Sequence, residues 1–292
     1  MTWSPNTTSS LSKVDVLLFR TLQGLAGIAG VIVFFILLFL MNESFPAVRD
    51  IGLWAFFTDS SWHPTEGLYN LTPMLIGTLL AAIGAVLLAT PFGILLALFC
   101  EYYAPTTVAT VYRTFIEVLA GIPSVVYGLW GLVVLVPLIA DIHPPGPSLL
   151  AGIIVLTIMI LPTVTLVSQS AIRQVPKDYV TSATALGLKR WSMIWHIILP
   201  TAWPGMLTGV ILQTGRAIGE TMAILMVCGN VVQIPTNFFN PIRTLTANIA
   251  LEMAYASGSH RASLFLSGLL LLFMVICLIM VAQRLKPQQV YG

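Results

Sequence analysis

An arginine and a glutamate four residues apart, Arg216 and Glu220, stand in an otherwise apolar stretch from Pro204 to Cys228. Both residue types do chemistry. A guanidinium offers parallel N–H donors that match an oxyanion. A carboxylate one helical turn away can pair with it and offset part of the charge. At mid-bilayer an arginine costs about 2.5–3.5 kcal/mol on insertion scales, so it should face protein or water. Two uses are open: a pair that pins this span to a neighbour, or a charge facing a translocation cavity. Thr221 adds a hydroxyl, although its position points it elsewhere on a helix.

GIPSVVYG, residues 121–128, is the second unusual stretch. Pro123 inside an apolar run should kink a helix or start one. Ser124 and Tyr127 bring hydroxyls there, either to line a pathway or to satisfy the carbonyls that the proline frees. Arg113 and Glu117, four residues apart, read as an interfacial ion pair worth about 0.2–1 kcal/mol.

Nothing points to catalysis. No serine, cysteine or carboxylate constellation is present, and no G-x-x-x-x-G-K-[ST] loop for ATP. His63, His143, His196 and His260 fall in connecting segments without ligand spacing. Cys100, Cys228 and Cys277 are scattered and suit packing. No catalytic or metal-ligating residue is therefore assigned.

The elements that must position these residues are spanning helices. The chain has 292 residues, a mean hydropathy of +0.93, and only 8% charged residues. Soluble domains carry about 25%. Six apolar runs are long enough to span: Leu22–Met41, Met74–Phe99, Leu119–Ile139, Leu149–Ala171, Met206–Cys228 and Ser263–Val281. A backbone in lipid must satisfy its own hydrogen bonds, and no barrel-type alternation appears, so the fold class is all-α. The first run is too long for a signal core and reads as an uncleaved span. With both termini inside, nine Lys and Arg fall on the inner side and three on the outer. The expected division is an inner tail 1–21, a six-span domain 22–284 and an inner tail 285–292.

Three connections are informative. The first outer one, 42–72, holds Trp54, Phe56, Phe57, Trp62 and Tyr69, which suit a membrane-lying surface. The second, 229–261, is broken early by Pro235 and Pro241, and TLTANIALEMAYA can form a short helix. The inner one, 172–203, reads as a helix over Thr181–Leu186, a turn at Gly187, and a second surface helix over Trp191–Ile198 that Pro200 closes. In the fifth span, Gly205/Gly209 and Gly215/Gly219 have the spacing that lets helices approach closely.

The inner segment resembles the coupling loop of binding-protein-dependent ABC transporter permeases: E-A-A, three residues, Gly, nine residues, then I-x-L-P. Here Thr181, Ser182 and Ala183 stand at E-A-A, Gly187 follows, and Ile197, Ile198, Leu199 and Pro200 complete it. Beyond residue 42, ESFPA, WHPTEG, IGTLL, EYYAP, IEVLAGIPSVVYGLWG, GRAIGETMAILMVCGN and RTLTANIALEM look like phosphate-specific permeases. PSVVYG and GRAIGET are shared by their PstC and PstA subunits, while RTLTANIALEM and MAILMVCGN look more like PstC.

The resemblance implies a six-helix MetI-like permease of a bacterial inner membrane. It implies a PstA-like second permease subunit, two PstB-like ATPase subunits, and an external PstS-like phosphate-binding protein. ATP and Mg would be bound by the ATPase, with no cofactor in this chain. Thr181, Ser182, Ala183, Gly187, Ile197, Leu199 and Pro200 would dock the ATPase. Arg216, Glu220, Thr221, Ser124 and Tyr127 would line the phosphate pathway. Glu220 would accept a hydrogen bond from a phosphate hydroxyl, which sulfate lacks. Other expectations are another oxyanion as substrate, the PstA role, or a self-sufficient ion-coupled carrier. The long inner loop disfavours the carrier, and a lipid-phosphate enzyme would need a nucleophile or metal cluster.

Overall fold

The computed structural model describes residues 13–284. The expected tail 285–292 lies outside them. Six helices are long and apolar enough to span a membrane: Val14–Asp50, Thr72–Tyr103, Ser124–Ile142, Leu149–Arg173, Arg190–Ile218 and Gly258–Val281. The number of spans matches the expectation; several bounds do not.

Helix α1, Lys13–Asp50, takes in residues 13–21, expected as tail, and NESFPAV, expected as loop. Pro46 lies within it. It packs against α13, Gly258–Arg284, with Phe39 and Phe265 edge to face at 5.7 Å. The next connection is not purely helical. After α2, Ala55–Thr58, strands β1, Trp62–His63, and β2, Leu68–Tyr69, pair antiparallel. Trp62, Tyr69 and Phe56 are buried together, so three of the five aromatics expected at the membrane surface form a small core instead. Trp54 and Phe57 remain exposed.

Helix α3, Thr72–Leu98, continues through a π-turn at Phe99–Tyr103. Helix α4, Thr106–Gly121, precedes α5, Ser124–Trp130, which runs on through a π-turn into α6, Val136–Ile142. Helix α7, Leu149–Arg173, starts at Ser148, whose hydroxyl caps it by accepting from the Ala151 N–H. Then come α8, Lys177–Ala185, and α9, Arg190–Met193. A π-turn at Ile194–Ile198 joins α9 to α10, Leu199–Ile218. The described residues end with α11, Met222–Val227, α12, Leu245–Glu252, and α13.

Helix α7 is the central post, with the most buried apolar window of the six. Its neighbours reach it through glycine. A Cβ on Gly93 would stand 2.7 Å from Val164, one on Gly131 2.6 Å from Val155, and one on Gly205 2.8 Å from Ala171. Lipid supplies no hydrophobic drive between helices, so such close backbone packing takes its place.

Candidate functional site

The apolar run expected as the fifth span, Met206–Cys228, is interrupted. The helix ends at Ile218, and α11 begins only at Met222. Two glycine contacts fix how deep the interruption lies. Gly205 meets Ala171 and Gly209 meets Val167, so α10 runs antiparallel to α7 in a fixed register. Extending that register seven residues puts Arg216 level with Ile160, beside the midpoint of Leu149–Arg173. From the other side, Gly152 meets Cys228. The turn 219–221 therefore falls near the middle of the bundle.

This geometry overturns the expected pairing. Arg216 and Glu220 do not share one helix face, because the helix stops between them. Among the described residues they form no ion pair. Glu220 instead turns its Oε1 onto α11 and accepts from the Ala223 N–H at 3.2 Å. Thr221 is the residue before that helix, and its hydroxyl donates to the Gly219 carbonyl at 3.3 Å. Unwinding a turn in an apolar layer exposes backbone groups that must find partners. Glu220 and Thr221 supply two of them.

Arg216 is exposed, and its side chain makes no hydrogen bond or ion pair among the described residues. The run expected as the third span, Leu119–Ile139, breaks at the same level. Helix α4 stops at Gly121, Ile122 is extended, and Pro123 sets up the start of α5. Gly128 packs on Ala223 and Gly131 on Val227, so α5 and the 222–227 helix run parallel, a register that brings Ser124 level with Gly219. Tyr127 donates to the Leu119 carbonyl at 2.7 Å, spanning that break. Ser124 is half-buried, and its hydroxyl makes no hydrogen bond among the described residues.

Gln213, Ser168 and Thr90 were not anticipated. Each carries a buried oxygen without a hydrogen-bond partner among the described residues, on α10, α7 and α3 respectively. Gln213 lies one residue short of a turn before Arg216. Polar residues inside apolar runs were visible in the sequence, but which of them turn inward was not.

The family model for the binding-protein-dependent transport system inner membrane component matches residues 89–289. This chain belongs to that family. The permease is 39% identical over 248 residues to a probable ABC transporter permease protein, YqgH, of Bacillus subtilis, covering 83% of this chain and 80% of the relative. It is 34% identical to the phosphate transport system permease protein PstC of Xylella fastidiosa, covering 78% and 77%. Identity to the PstC of Haemophilus influenzae is 32%, covering 88% and 89%. Among solved structures it resembles a bacterial alginate ABC transporter chain with a TM-score of 0.65 at 18% identity, over 96% of this chain and 97% of that one. A MetNI methionine ABC transporter chain gives 0.56 at 18% identity, over 74% and 92%. These confirm a multi-pass inner-membrane permease of the MetI-like fold.

The permease presents its 177–203 segment as a helix, a glycine turn and a second helix. Helix α8 covers Thr181, Ser182 and Ala183; the first two are exposed and Ala183 is buried. Gly187 takes φ +75°, with Leu188 N–H bonded to the Ala183 carbonyl and Gly187 N–H to that of Thr184. This is a Schellman ending. The second helix departs from expectation. It does not lie apart on the surface but runs through Ile197, Leu199 and Pro200 into the fifth span. Pro200 falls in the first turn of α10, and the preceding π-turn shifts the bonding frame so its missing N–H does not stop the helix. Ala183, Met193, Ile194 and Ile198 pack with Ala97 and Ile172, fastening the segment to the ends of α3 and α7. Glu101 and Arg173 pair there at 2.5 Å. Arg113 and Glu117 pair as expected, at 2.9 Å and half exposed.

Proposed function

We propose that this chain is a transmembrane permease subunit of an ATP-driven importer of inorganic phosphate, in the role named PstC in its relatives. One observation carries the site: an arginine at mid-bundle, exposed and without an acidic partner among the described residues, beside a helix break. A charge that costs several kcal/mol in lipid is retained where water or substrate meets it. The guanidinium is free to take two phosphate oxygens. The second oxygen of Glu220, Oε2, makes no hydrogen bond among the described residues and suits a phosphate hydroxyl. Ser124, level with the break, offers a further hydroxyl, and Thr221 follows Glu220 in the turn. A single cation attracts the anion without trapping it, as conduction requires.

The remaining parts follow from the same reading. Both termini face the cytoplasm, where the basic residues concentrate. The exposed face of α8 seats in one of two ATPase subunits, which bind ATP and Mg. A second, PstA-like permease covers the exposed face carrying Arg216, and an external phosphate-binding protein delivers substrate from the other side.

The test is phosphate uptake by cells carrying the whole transporter with Arg216→Gln, with ATPase copurification as the assembly control. Collapse of uptake in an assembled complex supports the pathway role. Normal uptake makes Arg216 structural, and failure of any ATPase to copurify with the unmutated chain defeats the importer reading. Glu220→Gln should weaken discrimination against sulfate; unchanged selectivity removes that role.

A further inference from the structure

The turn 219–221 is held from outside its own span. Its Glu220 carbonyl is left without a helical donor, and the Thr246 hydroxyl donates to it at 2.7 Å. Thr246 lies in the first turn of α12 and is buried. Among the described residues no other side chain from a different element bonds the backbone of this turn.

The bond has a fixed direction. Thr244 Oγ1 accepts from the Ala247 N–H at 3.2 Å, and the Thr244 and Thr246 hydroxyls lie 3.1 Å apart. The Thr246 proton is committed to Glu220, so Thr244 must donate to Thr246. The run is therefore Ala247 N–H to Thr244, Thr244 to Thr246, Thr246 to the Glu220 carbonyl. Hydrogen bonds aligned in this way strengthen one another. The Leu245 N–H bonds Thr78 of α3 at 3.0 Å, which anchors the same turn to the bundle.

The far end of α12 is gripped as firmly. Glu252 is buried, and its carboxylate takes three donors. Arg243 Nη1 reaches Oε1 at 2.7 Å, while His260 Nε2 and Trp62 Nε1 each reach Oε2 at 2.9 Å. Arg243 also donates to the Asn230 carbonyl and to Asn248. The hairpin, the 229–244 segment and the start of α13 thus converge on one side chain. A short helix fixed at both ends cannot shift at one without shifting at the other.

We infer that Thr246 is a positioning residue of the transport pathway, holding the Gly219–Thr221 turn in place, and that α12 ties this turn to the loops gathered on Glu252. The inference rests on the reading of Arg216 and Glu220 as pathway residues. The experiment compares Thr246→Val, Thr246→Ser and Arg216→Gln in the whole transporter, with ATPase copurification for each. Thr246→Val keeps the shape and removes the donor. It should lower maximal phosphate uptake about tenfold, the scale expected when a buried carbonyl loses its partner. The half-saturating phosphate concentration should stay unchanged. Thr246→Ser should stay within about twofold, because the hydroxyl is kept.

Normal uptake with Thr246→Val overturns the inference, as does equal loss with Thr246→Ser, which would make the role one of packing. Should Thr246→Val fail to assemble, Thr246→Ala takes its place; failure of both while Thr246→Ser assembles marks a folding role and also overturns it. If Arg216→Gln transports normally, the pathway reading itself falls. If Arg216→Gln collapses uptake and Thr246→Val does not, only the positioning role is lost.

Discussion

A Cβ placed on Gly209 would stand 2.5 Å from Cγ1 of Val167, so the fifth span meets the fourth backbone to side chain. The second glycine pair of that span does not behave in this way. A Cβ on Gly215 would meet nothing nearer than Val275 at 3.9 Å, and one on Gly219 nothing nearer than the Gly215 carbonyl at 3.5 Å. Overpacking a close seam costs about 1–3 kcal/mol. Gly209→Ala should therefore lower the thermal unfolding midpoint of the purified complex measurably, with Gly215→Ala nearly neutral. Equal shifts for the two would remove the seam.

Glu252 is the acceptor for two cationic or ionisable side chains and an indole. Removing one member of a buried pair leaves the other charge uncompensated, at about 3–5 kcal/mol. Arg243 is one-fifth exposed, which places the expected loss at the lower end of that range. Glu252→Gln should reduce stability accordingly, and Arg243→Met in the same chain should recover part of the loss. A double variant no better than the single one would show that the pair is not the source.

Tyr127 and Arg216 should separate cleanly in transport. The tyrosine hydroxyl is committed to the Leu119 carbonyl across the break of the third span. Tyr127→Phe should cost about 1 kcal/mol of stability and leave uptake within a few-fold. Arg216→Gln should abolish most uptake. A Tyr127→Phe transporter as inactive as Arg216→Gln would favour the pathway role for Tyr127 over the carbonyl-satisfying one.

Gly187 has open space around the position of a Cβ, so its φ of +75° is the whole constraint. Gly187→Ala should cost about 1–2 kcal/mol through the left-handed backbone alone. The expected signature is weaker ATPase copurification with normal membrane insertion. Gly187→Asn, which tolerates that conformation better, should recover part of it. No difference between the Ala and Asn variants would argue against the turn.

Much of this architecture was legible in the chain. Six apolar runs determined six spans, because a backbone in lipid has one economical solution. The Gly187 turn, the helix over TLTANIALE and the start of α5 at Pro123 follow from local backbone chemistry. Arg216 stood out by charge alone.

What the sequence by itself determined is therefore the span number, the fold class apart from one small hairpin, and the residue around which a pathway reading is built. Only the tertiary structure decided how the charges are used. A four-residue spacing predicts pairing on a continuous helix, and nothing local to GRAIGET says that the helix stops at Ile218. The break persists because distant groups satisfy it: Thr246 holds Glu220 from 26 residues away. Trp62 joins Glu252 across 190 residues. Such partners are set by how helices stack around α7, through contacts between segments far apart in the chain, and no pattern within either segment encodes the other.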